Sequence, residues 1–143
     1  MRIAVLGGTR FIGRAVVGEL AAAGHELLVV HRGESEPSDL PAVEHAHVDR
    51  HDQAALRDAL AGFPADALID TYALTRRDAE TAVAALPREV RLLVLSSMNV
   101  YRAYGALHAG KETDPVPLAE SSPLRTERYP YRGQLPGFED YEK

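Results

Sequence analysis

Cysteine is absent from the 143-residue chain, which excludes disulfides, thiolate metal sites and cysteine nucleophiles together. Positive charge is in deficit: 16 Lys and Arg stand against 21 Asp and Glu, for a net charge of −5. Neutralising nucleic-acid phosphates takes a positive face, so nucleic acid is not the expected main partner. A small anionic ligand held by local N–H groups and arginines remains compatible. Long apolar runs are also missing. Ile3 to Leu6 give way to glycine after four apolar residues, whereas a signal peptide needs a longer stretch and a membrane span roughly 20 residues. The expectation is a cytoplasmic protein without a membrane partner. With 45% hydrophobic and 26% charged residues, the composition is that of a globular domain with one core.

Strand-like and helix-like segments alternate over the first two thirds. Ile3 to Leu6 reads as a buried strand ended by Gly7-Gly8. Phe11 to Ala23 has helical spacing through Phe11, Ala15, Val16 and Leu20, and Gly24 caps it. Further strands are expected at Glu26–His31, Val43–Val48, Ala67–Asp70 and Val90–Leu95, the last being the clearest. Asp52 and Thr75 are candidate caps for two more helices, ended by Gly62 and Pro87. Apolar strands separated by helices indicate an α/β fold, a Rossmann-type doubly wound parallel sheet of about five strands covered on both faces. A dinucleotide-binding portion is expected over 1–104. A loop-rich segment of the same domain, 105–143, follows, and Glu139 to Lys143 reads as the first turn of another helix. The chain reads as truncated before a C-terminal substrate lobe.

The most informative stretch is Gly7-Gly8-Thr9-Arg10-Phe11-Ile12-Gly13, set between a strand and a helix. Gly7 permits a sharp turn, Gly8 is expected to let backbone N–H groups approach a pyrophosphate, and Gly13 lets the helix pack closely. The helix N-terminus then offers unsatisfied N–H donors to phosphates. The heptapeptide resembles the cofactor turn of the extended and atypical short-chain dehydrogenase/reductases, the NAD-dependent epimerase/dehydratase family. That family usually has glycine at the first, fourth and seventh positions; here the fourth is Arg10, which either adds a phosphate contact or blocks the site.

The resemblance implies further roles. NAD-preferring members end the second strand with a carboxylate that binds the ribose. Here His31 and Arg32 stand at that place, so NADP is the expected cofactor and NAD the alternative. Asp49 takes the place of a family Asp that reaches adenine. Tyr72 and Ala73 follow the fourth strand where the family's backbone passes the cofactor, and Asp70 replaces the family's usual His or Asn. Leu93 to Tyr101 resembles the fifth strand with its active-site serine, which places Ser96 beside the cofactor and Ser97 on the substrate hydroxyl or carbonyl. Leu118 to Leu124 resembles the loop that follows.

The chemistry also takes a tyrosine general acid/base with a lysine four residues on, sharing a helix face. Lys143 as that lysine leaves Glu139 at the tyrosine position, with Tyr141 turned away by roughly 200° on a regular helix. Ser97, Tyr141 and Lys143 are the catalytic candidates. Tyr101 and Tyr104 enter only with an unusual mechanism, and the alternative is a chain end without chemistry.

The implied function is that of the dinucleotide-binding portion of an NAD(P)-dependent oxidoreductase or epimerase. Hydride transfer would occur at a carbinol carbon of a small-molecule substrate, such as a nucleotide sugar. The alternative is a non-catalytic NAD(P)-binding sensor or an RNA- or protein-binding module, for which Thr126 to Arg132 supplies mixed aromatics and arginines. An open sheet edge also leaves homo-oligomerisation as an outcome. His45, His47 and His51 with Asp49 superficially resemble a metal cluster. No fourth ligand of familiar spacing accompanies them, so no metal is expected.

Overall fold

Ile3 to Leu6 and Leu27 to Val30 are apolar on every residue, which suits strands buried on two faces. The computed structural model describes residues 1–87 and 89–141. In it these segments form β1 (Arg2–Leu6) and β2 (Glu26–His31), the centre of a five-stranded sheet. β3 (Glu44–His47), β4 (Ala67–Asp70) and β5 (Arg91–Val94) complete it in the order β3-β2-β1-β4-β5, with all pairings parallel. Three helices alternate with the strands: α1 (Phe11–Ala22), α2 (Gln53–Gly62) and α3 (Arg76–Ala85). This is the Rossmann-type α/β fold expected from the alternation. No helix among the described residues is long and apolar enough to cross a membrane.

The chain divides into two compact units, residues 1–95 and 96–143. In the first, alternation along β1 sends side chains to opposite faces of the sheet. Ala4 and Leu6 join Leu28, Val30 and Leu68 beneath Leu56 and Leu60 of α2 and Ala82 and Ala85 of α3. Ile3 and Val5 join Leu27 and Val29 beneath Val17 of α1. Asp52 accepts a hydrogen bond from Ala55 N at the start of α2 (3.0 Å). Thr75 and Asp78 form a reciprocal capping box at the start of α3.

Two expectations are corrected. α1 turns Gly13 and Val17 inward, while Phe11 is 89% exposed and Ala15 is also exposed. Small residues on the inner face let the helix lie close to the sheet, and that leaves Phe11 at its rim. β5 is not covered on both faces. It is an edge strand, with Leu93 and Val94 exposed.

The second unit holds a 3₁₀ turn at Met98–Val100 and helix α4 (Arg102–His108), which runs through position 104. An antiparallel bridge joins Tyr101 to Leu124, flanked by Arg102 N→Pro123 O (2.9 Å) and Arg125 N→Val100 O (2.8 Å). Buried Asn99 accepts from Arg125 Nη2 (2.7 Å) and donates to the Tyr131 hydroxyl. Glu139 and Asp140 lie in a turn rather than a first helical turn; Glu142 and Lys143 lie outside the described residues.

Leu68 is fully buried at the middle of β4, whereas Val83 on α3 is 60% exposed. Leu68→Ala is expected to lower the unfolding free energy by about 2–5 kcal/mol through lost burial and a residual cavity. Val83→Ala should change it by less than about 0.5 kcal/mol. Urea denaturation of the two variants measures both.

Candidate functional site

The strand order reverses direction between β1 and β4, so the segments leaving their C-terminal ends diverge and open a crevice there. Leu6 is in register with Asp70, which sets the glycine turn beside Thr71 and Tyr72. Gly7 turns at φ +84°, a conformation that favours glycine. Thr71 ties the two ends together: its hydroxyl donates to Leu6 O (2.8 Å) and Gly7 O (3.1 Å), and its N–H donates to Leu6 O. A Cβ on Gly13 would lie 2.2 Å from Gly7 O and 2.8 Å from Thr71 Oγ1. The start of α1 is therefore pressed against the turn, and only glycine fits there.

Gly8 has a different place from the one expected. A Cβ there would meet Val17 Cγ2 at 2.7 Å and Val29 Cγ1 at 2.8 Å. Its missing side chain lets α1 pack on β2, because the turn directs this position into the core rather than toward the crevice.

Thr9 is buried, and Arg10, Phe11 and Ile12 are exposed. Phe11 has φ +43°, a left-handed value in a residue that has a Cβ. Arg10 stands at the N-cap with no side-chain cap, and α1 has no acidic residue in its first turn. The first helical N–H groups lack intrahelical partners by construction; Arg14 N→Arg10 O (3.1 Å) is where the α1 ladder starts. α2 and α3, by contrast, are capped by their own side chains. The N-terminus of α1 thus keeps donors and a partial positive charge suited to a phosphate.

At the end of β2, His31 is buried, its Nδ1 accepts from Gly33 N (3.1 Å), and its Nε2 lies 2.9 Å from His45 Nδ1. The Gly33 bond places the imidazole proton on Nε2, which therefore donates to His45. Burial, followed by the neighbouring His45 and His47, holds the His31 pKa below its usual value, against the opposing pull of Glu36. Arg32 is exposed and pairs with Glu34 (2.9 Å). Asp49 accepts from His51 N (2.8 Å), a local turn contact. Tyr72 is 60% exposed and Ala73 partly buried.

A buried ionic network behind β4 escaped the sequence reading. Asp70, fully buried, receives both terminal nitrogens of Arg50 (3.0 and 2.6 Å) and also accepts from Tyr72 N (3.1 Å). Arg50 further donates to Tyr72 O (2.8 Å) and Asp78 O (3.0 Å). Asp78 accepts from Leu74 N, Thr75 N and Thr75 Oγ1, and lies 2.7 Å from His51 Nε2. His51 is thereby held at Asp78. The network fixes the segment from Thr71 to Thr75 that lines the crevice. Its one sequence signal was Asp70, a carboxylate ending an apolar strand.

In the second unit, Ser97 caps the 3₁₀ turn by accepting from Asn99 N (3.2 Å), and Ser96 is exposed. Tyr141 packs against Tyr131 and Phe138, with ring centroids 5.5 and 5.8 Å away. Lys143 lies outside the described residues.

A helix N-terminus behind a glycine turn at a strand-order reversal defines a Rossmann-type architecture. The model of the NAD dependent epimerase/dehydratase family matches residues 3–131, and the chain belongs to that family. Its fold is similar to that of the Bifidobacterium longum UDP-glucose 4-epimerase solved with NAD+ and UDP. That match has a TM-score of 0.75 at 18% identity, over 92% of this chain and 44% of that one. The Thermus thermophilus UDP-glucose 4-epimerase complex with NAD gives a TM-score of 0.71 and 23% identity over 92% and 46%. The Bordetella bronchiseptica enzyme WbmG with NAD and UDP gives 0.68 and 18% over 87% and 44%. This chain spans less than half the length of each of these structures.

Burial pushes the Asp78 carboxyl up, but hydrogen bonds from Thr75 and His51 and the charge of Arg50 outweigh it, so its pKa lies below the ordinary 3.8. A carboxylate with a lowered folded pKa stabilises fully above its unfolded pKa, and that contribution is lost as pH falls through the folded value. Stability measured by urea should therefore drop below about pH 3.8. Asp78→Asn should flatten this part of the profile; parallel profiles for the two proteins would contradict the assignment.

Proposed function

We propose that the first unit binds a nicotinamide dinucleotide across the C-terminal ends of β1, β2 and β4, with its pyrophosphate over the first turn of α1. The observation that carries this reading is the uncapped α1 N-terminus pressed against Gly7 at the strand-order reversal. Membership of the NAD dependent epimerase/dehydratase family supports it. The residues fit the group: Gly7 and Gly13 let the turn and the start of α1 close together, and among the described residues no carboxylate caps the first turn of α1.

NADP is the proposed form, with NAD the alternative. A 2′-phosphate at the end of β2 would meet Arg32, whereas a ribose 2′-hydroxyl would find His31 already engaged at both ring nitrogens. The Arg32–Glu34 pair is an exposed one of small net worth, which a phosphate can displace. Asp49 is proposed to face the adenine, and Tyr72 and Ala73 to line the path toward the nicotinamide.

A bound dinucleotide would supply the hydride acceptor or donor for a carbinol carbon of a small-molecule substrate. A nucleotide sugar is the proposed class, in line with the UDP-glucose 4-epimerases of similar fold. Ser97 is proposed to hold the reacting hydroxyl or carbonyl, and Tyr141 with Lys143 to carry the proton transfer. We place the protein in the cytoplasm. One observation favours a second reading, a dinucleotide-binding module without turnover: Tyr141 sits against Tyr131 and Phe138 rather than on a helix. Ser97→Ala separates the readings, since it should abolish turnover by an enzyme and leave a non-catalytic module's binding intact.

Calorimetric titration tests the cofactor assignment. NADPH is expected to bind more tightly than NADH, and Arg32→Ala should weaken NADPH about tenfold, roughly 1.4 kcal/mol, with NADH unchanged. Preference for NADH would overturn the NADP assignment and keep the site. Binding of neither would overturn the site.

A further inference from the structure

His31 closes β2, and β3 runs parallel beside it with His47 opposite His31 and His45 opposite Val29. Residues two apart on a strand share a face, so the register gathers three imidazoles on one side of the sheet. Their ring centroids lie 4.9, 5.1 and 6.5 Å apart. The loop after β2 returns Glu36 to the same place: its Oε1 is 3.4 Å from His31 Nε2 and in direct contact with His47 Nε2. The ligand atoms of His31, Glu36 and His45 all lie within 4.8 Å of one another.

We propose that His31, His45 and Glu36 form a binding site for a divalent transition-metal ion of the zinc type, with His47 holding the Glu36 carboxylate beside it. Two imidazoles and a carboxylate are three ligands that zinc takes in tetrahedral geometry, at about 2.0–2.2 Å each, with a water in the fourth position. Tetrahedral ligands at those distances stand about 3.3–3.5 Å apart, close to the 2.9 Å from His31 Nε2 to His45 Nδ1 and the 3.4 Å from His31 Nε2 to Glu36 Oε1. The nitrogen-rich set suits zinc better than magnesium or calcium, which favour all-oxygen cages. Paired strands of one sheet hold His31 and His45, so the ion would meet two ligands that are placed in advance.

Without an ion the cluster is a hydrogen-bond relay from Gly33 N–H through His31 to His45. Ligation through His31 Nε2 moves that ring's proton to Nδ1 and breaks the Gly33 bond. Gly33, at φ +78°, is the position in this loop where the backbone can most readily readjust. The proposal rests on this cluster alone; because His31 also stands at the proposed ribose position, Zn²⁺ binding is measured without dinucleotide present.

The test uses the full chain, free of any affinity tag and stripped with a chelator. Zn²⁺ is titrated by calorimetry, and Co²⁺ is followed by visible absorption. One saturable ion per chain is expected, with the intense d–d bands of tetrahedral cobalt. Glu36→Gln and His45→Asn should each weaken Zn²⁺ binding about tenfold or more, while His108→Asn, in the second unit, should leave it unchanged. Glu36 lies in an exposed loop, so its variant keeps the test valid if a strand histidine variant fails to fold. No saturable binding, a weakly absorbing octahedral cobalt spectrum, or equal binding by the Glu36 variant would each overturn the proposal.

Discussion

A Cβ at position 13 would stand 2.2 Å from Gly7 O, and that backbone approach sets the geometry of everything around it. Because α1 begins against the turn, its first N–H groups are delivered to the mouth of the crevice between β1 and β4. The same approach brings Val17 down onto Val5 and Val29, with Gly8 vacating the space they need. One tight contact therefore serves both packing and the proposed phosphate site. Phe11, left-handed and almost wholly exposed, is the local conformational strain that accompanies it.

On the other side of the crevice the constraint is electrostatic. Asp70 is a fully buried carboxylate, tolerable because Arg50 meets it with two nitrogens and Tyr72 N–H supplies another donor. Removing Arg50 would strand that charge, a kind of loss that typically costs about 3–5 kcal/mol. Arg50 also holds Tyr72 O and Asp78 O, so the ion pair shapes the loop from β4 to α3. Ser97 and Tyr141, in the second unit, are organised by other means, through Asn99 and Tyr131.

Local patterns carried most of the fold. The apolar runs of β1 and β2, the caps Asp52 and Thr75, and the glycine turn all act within a few residues, and each is legible for that reason. The inward face of α1 was not: Phe11 looks like a core residue until the close helix–sheet approach permitted by Gly8 and Gly13 is known. The exposure of β5 depends on sheet order, which periodicity does not encode. Arg50 and Asp70 are 20 residues apart, so nothing local marks them as partners. The histidines show the same limit. His45 and His47 were visible as a strand pair, but parallel register supplied His31 and a returning loop supplied Glu36, while His51 went to Asp78.

The central claim is that the α1 N-terminus receives the dinucleotide phosphates. Amide ¹H–¹⁵N NMR during titration with NADPH or NADH tests it most directly. The largest shifts should fall on the N–H groups from Thr9 to Gly13, with smaller ones at Arg32 and Tyr72. Saturable binding that leaves Thr9 to Gly13 unmoved would contradict the account, whatever its affinity.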